Sequence, residues 1–216
     1  WVSDGTEAGT YMIKDLDTTP VGANDIGSGL PKGFKFFNNK MYFVNDAGIW
    51  ESDGTAGGTN VAVDFSAMPD NFYFGAKLEP FNGKLWFLAG DDTSGFEMWI
   101  SDGTQAGTTV LKNIAAGAAD ISIADGNDVE ESDGSKTLFF SLSDGTHGYE
   151  PWISDVTEQG TFLLKDINPG GDSDPQNFAR TGPTEYYFSA DNGSSGQELW
   201  FTDGTSLGTR LVKDIN

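Results

Sequence analysis

The sequence predicts an all-β protein, a β-propeller built of four-stranded antiparallel blades of roughly 48 residues each. Three observations predict it. A tryptophan-centred phrase recurs at Trp1, Trp50, Trp99, Trp152 and Trp200, with spacings of 49, 49, 53 and 48 residues; a period of this length marks a supersecondary unit that stacks on copies of itself. Short apolar runs rich in Phe and Trp are separated by Gly, Asp, Asn and Pro clusters, the pattern of strands and tight turns. No stretch sustains i, i+3, i+4, i+7 apolar periodicity, so essentially no helix is expected.

In chain order, residues 1–16 supply only the third and fourth strands of a blade. Residues 17–64 form the first complete blade, with strands at 34–37, 41–44, 49–52 and 59–64. Residues 65–114 form the next, with strands at 72–78, 84–88, 96–101 and 108–114, and Asn82-Gly83 is a strong two-residue hairpin turn. Residues 115–167 follow, with strands at 121–123, 137–142, 149–154 and 161–167, lengthened by an acidic insertion at 125–134. Residues 168–216 close the series, with strands at 177–180, 185–190, 198–202 and 209–215.

The third and fourth strands set a register. Pairing Thr202 with Thr209 places Trp200 opposite Leu211 and Glu198 opposite Lys213; the same offset matches Glu97 with Lys112 and Glu150 with Lys165. Where Gly48 replaces the Glu, its partner position holds Val63. Joint loss of both charges predicts a cross-strand ion pair. Lys14 would pair with a position two residues before Trp1, so the segment reads as a piece of a longer propeller. Its half blade would leave an open edge able to self-associate.

Composition excludes some functions. A net charge of −21 with only 12 Lys and Arg opposes binding to nucleic acid or anionic membranes. The chain has no cysteine, hence no disulfide and no thiolate chemistry. No run is long and apolar enough to insert into a bilayer.

The stretch Glu198-Leu199-Trp200-Phe201-Thr202-Asp203-Gly204-Thr205 resembles the ELWxxDGT repeat proteins letter for letter. Gly208, Thr209 and residues 211–215 extend the match, and residues 144–152 resemble the connection into the third strand. The resemblance covers every repeat. It implies bacterial, exported, propeller-like repeats and an extracellular or cell-surface location, and it supplies no catalytic residues. The chain departs from the pattern at Gly48, Met98, Pro151 and Val156. A β-branched Val156 resists positive φ, so that hairpin is expected to adopt a different turn.

The hairpin aspartates Asp4, Asp53, Asp102, Asp155 and Asp203 invite a calcium-loop reading; capping of each turn's own N–H groups is the favoured one. The repeated Trp residues read as core rather than as sugar-stacking surfaces. Glu97, Glu150 and Glu198 begin third strands, at the rim carrying the loops between blades. That rim holds Asp17, Asn24, Asp25, Asp70, Asp120, Asp172, Asp174 and Asn177, with Asp91, Asp92, Asp144 and Asp191 from the neighbouring turns. Hard oxygens of this kind suit calcium or sugar hydroxyls, and Asp144, Asp172, Asp174 and Asp191 are the candidate metal ligands; a solubilising acidic surface is the simpler alternative. The insertion at 125–134 fails the EF-hand pattern at Val129. His147 is the sole histidine and reads as an ordinary turn residue.

The function expected is therefore a non-enzymatic exported binding, adhesion or scaffold module with a protein or glycan partner and calcium as the candidate cofactor. A lectin with repeated sites between blades and a glycan-active enzyme are the alternatives.

Overall fold

The computed structural model describes residues 1–16, 30–69, 71–115, 121–123 and 137–215. They form four antiparallel four-stranded sheets, each meandering in chain order. The first is β1 (Lys32–Phe37), β2 (Lys40–Asn45), β3 (Gly48–Ser52) and β4 (Asn60–Asp64); the second is β5 (Tyr73–Phe81), β6 (Lys84–Asp91), β7 (Gly95–Ser101) and β8 (Thr109–Lys112). The third is β9 (Ser122–Ile123), β10 (Leu138–Ser143), β11 (Tyr149–Ser154) and β12 (Phe162–Leu163); the fourth is β13 (Gln176–Arg180), β14 (Tyr186–Asp191), β15 (Gln197–Thr202) and β16 (Arg210–Lys213). The one helical element among the described residues is a single 3-10 turn, Phe65–Ala67, whose Ser66 N–H is capped by Asp64. The insertion at 125–134, and with it Asp17, Asn24, Asp25, Asp70 and Asp120, lies outside the described residues.

The contacts cluster into two compact units, residues 1–92 with 98–110 and residues 93–97 with 111–216. In the first, one face of the first sheet (Tyr42, Val44, Ile49, Val63) meets Leu85, Phe87, Ala89 and Trp99 of the second in one buried cluster. β6 is buried almost throughout because side chains on both its faces pack against neighbours. The opening segment contributes a single antiparallel bridge between Val2 and Tyr11. In the second unit, Phe139, Ile153 and Leu164 pack on Tyr186, and Phe188 stacks toward Trp200.

Turn chemistry follows the sequence. Asn82 and Gly83 both take positive φ, 47° and 75°, as a type I′ hairpin requires. Asn38 and Asn39 do the same without glycine, at 47° and 62°; asparagine tolerates the left-handed region better than other side chains. Trp50, Trp99, Trp152 and Trp200 are core residues as expected. Trp1 is not: it is 80% exposed, because a lone two-stranded bridge offers no sheet to bury it.

The expected register holds at Trp200–Leu211 and then slips. Lys213 lies opposite Leu199, not Glu198, because Val212 is an extra residue in a bulge. The first sheet bulges at the same place, so Gly48 faces Asp64 and Ile49 faces Val63. In the fourth sheet the bulge turns Lys213 away from Glu198, against the predicted cross-strand ion pair. Lys112 and Lys165, predicted to pair with Glu97 and Glu150, instead donate to backbone carbonyls of Thr161 and Thr209.

Candidate functional site

The repeated Asp hairpins are the most regular feature of the molecule. In each, the Asp Oδ1 accepts from the N–H and the hydroxyl of the Thr two residues on, at 2.8–2.9 Å and 2.6–2.8 Å. That Thr hydroxyl in turn accepts from the N–H of the following Gly. A hydroxyl pair then closes the base, as in Ser52–Thr59, Ser101–Thr108, Ser154–Thr161 and Thr202–Thr209, each at 2.7 Å. A Cβ added to Gly9, Gly58, Gly107, Gly160 or Gly208 would fall 2.0–2.1 Å from the Asp carboxylate, which explains the second Gly-Thr of the motif. The Thr hydroxyl bonds hold Asp4, Asp53, Asp102 and Asp203 below the usual carboxylate range. These carboxylates build the turns, as the capping reading expects.

Val156 overturns its expectation. It sits at φ 60°, and the hairpin around it keeps every bond of its counterparts. The six shared hydrogen bonds, at about 1 kcal/mol each, outweigh a left-handed cost of about 1–2 kcal/mol. The Val156 side chain is buried as well.

The glutamates that begin third strands are buried sockets for the loop after the fourth strand. Glu97 Oε1 accepts from the N–H groups of Ile114 and Ala115 at 2.9 and 2.8 Å. Glu150 accepts from Ile167 N–H at 2.9 Å, Asn168 N–H at 3.2 Å and the Ser173 hydroxyl at 2.6 Å. Burial pushes the Glu150 carboxyl up, and the three donated bonds act against that rise. Glu198 is buried in the equivalent place. The lysines point the other way, to the backbone of the next hairpin: Lys14 Nζ donates to Thr59 O, Lys112 to Thr161 O and Lys165 to Thr209 O, at 2.5, 2.6 and 2.9 Å. A fixed offset of 17 residues from Glu to the clasped Ile signals the first arrangement in the sequence. Nothing local signals the second.

The four candidate calcium ligands do not converge. Among the described residues no three acidic or histidine side chains form a metal-holding group. Asp144 accepts from Thr146 and His147 N–H groups and contacts His147 Nδ1 at 2.8 Å. Burial works to raise its carboxyl, but the His147 and Thr146 bonds prevail and hold it low. The same bond raises the imidazole of His147. Asp172 Oδ1 accepts from Tyr149 N–H at 2.9 Å, and Asp191 Oδ1 from Gly193 N–H at 2.8 Å. Asp174 holds φ 44° and its N–H donates to Tyr149 O. Backbone N–H groups thus already occupy carboxylate oxygens of Asp144, Asp172 and Asp191.

Sequence reasoning missed a groove in the first unit. Between the edge strands β1 and β5 lies an opening of about 340 Å³ lined by Lys32, Lys35, Lys77 and Glu79 over Val44 and Phe74. A second hollow of about 230 Å³ shares Lys32, Val44 and Phe74 and adds Tyr73, Asn45 and Asp46. Both strands are bulged here: β1 shifts register between Lys32 and Lys35, and β5 shifts twice between Phe74 and Glu79. Gly33 at φ 65° and Lys77 at φ 59° mark these bulges. Lys35 is paired with Glu79 at 2.6 Å, and Lys77 Nζ lies 5.8 Å from the Trp86 ring centroid. The lysines are spread over two strands 45 residues apart, so no sequence motif announces them.

No family model and no curated protein matches the chain. Among solved structures, it is similar to a calcium-binding protein, regucalcin, from Agrobacterium tumefaciens, at 15% identity and a TM-score of 0.41. The match covers 82% of this chain and 58% of that one, so the chain spans less than two thirds of that protein's length. At that identity and TM-score the likeness decides neither the arrangement of the sheets nor the activity.

Proposed function

We propose that the chain is a non-enzymatic binding module, exported or displayed at a bacterial cell surface, whose four sheets are blades of a propeller. The observation that supports this reading most is the division of labour among its polar residues. The repeated Asp, Thr, Glu and Lys side chains hold hairpins and loops in place, while the groove between β1 and β5 presents lysines and an exposed tyrosine to solvent. A repeated, hydrogen-bonded frame with a chemically distinct groove suits recognition. Export follows from the resemblance of the repeats to the ELWxxDGT proteins.

The test is a binding screen of the labelled chain against a polysaccharide and protein panel, with reducing-end release measured in parallel. Retention on a subset of ligands without release is the expected result. Release of reducing ends would replace the module with an enzyme, and retention of nothing would remove the binding reading.

A further inference from the structure

We propose that the groove between β1 and β5 takes an acidic saccharide, its carboxylate held by Lys32 and Lys77 beside the Lys35–Glu79 pair and its ring resting on Tyr73. This rests on the reading of the chain as a binding module.

The charge is the first reason. The protein has 12 basic residues against 33 acidic ones, yet three lysines line one groove whose lining holds a single acid, Glu79. Three lysines less Glu79 leave a local surplus of two; Asp46 of the adjoining hollow reduces it to one. Four lysines elsewhere are committed: Lys14, Lys112 and Lys165 to hairpin carbonyls, and Lys40 to Glu51. Lys32 makes no ion pair among the described residues. The distant acids matter little at contact range, since charges further apart than about 8 Å are screened at physiological salt.

The surface is the second reason. Tyr73 is 50% exposed, and its ring lies against Gly90, where any Cβ would come within 2.6 Å of it. The missing Cβ of Gly90 leaves room for the Tyr73 ring in the hollow it shares with Lys32. Aromatic faces next to charged donors recognise sugar rings that carry a carboxylate.

An acidic peptide is the competing occupant. It would reach these residues by adding a strand to an exposed edge. Register breaks in both β1 and β5 interrupt the ladder that such a strand needs.

The experiment is calorimetric titration of the full chain with tri-galacturonate, its neutral methyl ester and tri-glutamate. Tri-galacturonate is expected to bind at least 10-fold more tightly than either of the others. Replacing Lys32→Gln with Lys77→Gln, and separately Tyr73→Ala, is expected to weaken it 10-fold or more. Lys32→Gln alone, on an exposed side chain, keeps the test valid should the Lys77 change disturb the bulge; a loss of at least 3-fold is expected. Equal affinity for acid and ester overturns the carboxylate assignment and leaves the module reading intact. Equal affinity for tri-glutamate overturns the saccharide in favour of a peptide. Binding by none of the three overturns the groove as a recognition surface.

Discussion

The Asp hairpin makes a sharp thermodynamic prediction at Asp155 and Gly160. A Cβ at residue 160 would sit 2.0 Å from Asp155 Oδ1 and 2.3 Å from its Cγ, far inside the ~3.5 Å of ordinary contact. Gly160→Ala must therefore expel the carboxylate from the turn. The bonds lost are those to Thr157 N–H and Thr157 hydroxyl, 2.8 and 2.6 Å long. Losing a capping carboxylate costs about 0.5–2 kcal/mol, and Asp155→Ala loses the same two bonds. With the carboxylate gone, Gly160→Ala has nothing to strike and gains about 0.4–1 kcal/mol by stiffening the unfolded chain. A double-mutant cycle should thus show a coupling of about 1–2 kcal/mol, read from urea unfolding followed by tryptophan fluorescence. Additivity within about 0.5 kcal/mol would refute the claim that the second Gly of each repeat exists to seat the Asp.

Other outcomes follow from the same geometry. Lys165→Met removes a charged bond to Thr209 O and should lower stability by about 1–3 kcal/mol, with little dependence on salt because the acceptor is a neutral carbonyl; a loss abolished by 1 M salt would contradict it. Asp4, Asp53, Asp102 and Asp203 have folded-state pKa values below their unfolded ones, so their contribution is present above the unfolded value and lost as pH falls through the folded one. Acid melts should show progressive loss below pH ~4, flattened when those residues are changed to Asn. Glu150 has the opposite sign: its raised pKa means the folded protein binds the extra proton, so stability falls as pH rises through that window. Glu150→Gln should remove this fall, and an unchanged pH slope in thermal melts would count against the assignment. Calcium or a chelator should leave Tm within about 1–2 °C, since Asp144 and Asp191 already accept from their own turns and Asp172 from Tyr149 N–H; a shift of several degrees, the scale of a kcal/mol or more, would restore the metal.

What the sequence revealed was whatever repeats. Periodic tryptophans located the sheets, and the Asp-Gly-Thr phrase located the hairpins, because each copy must satisfy the same backbone donors. Local propensity misled at Val156, where the hydrogen-bonded frame fixes a φ that a β-branched side chain opposes. Trp1 departs from the pattern because its segment forms one bridge, Val2–Tyr11, rather than a sheet among the described residues. The basic groove was illegible because Lys32 and Lys77 belong to different sheets' edge strands and meet only through packing. The acidic rim looked like a ligand set because composition does not reveal which carboxylates are already claimed by turns.

The paired absence of Glu and Lys at Gly48 and Val63 separates two accounts of the repeat. If the charges paired across the strands, restoring both should restore an attraction. The structure gives another reason for losing both. A Cβ at residue 48 would lie 2.1 Å from Val63 O, so the backbone fills the space where a Glu would begin. The following loop is held differently: Phe65 N–H donates to Ala47 O and Asp64 N–H to Gln105 Oε1. Val63 is fully buried in the core between the first two sheets, where a lysine ammonium would be desolvated. Each single change, Gly48→Glu or Val63→Lys, should therefore destabilise by several kcal/mol. The double variant should be no more stable than the worse single one. Recovery of the double variant toward wild-type stability would bring back the ion pair and show that the bulge yields to charge.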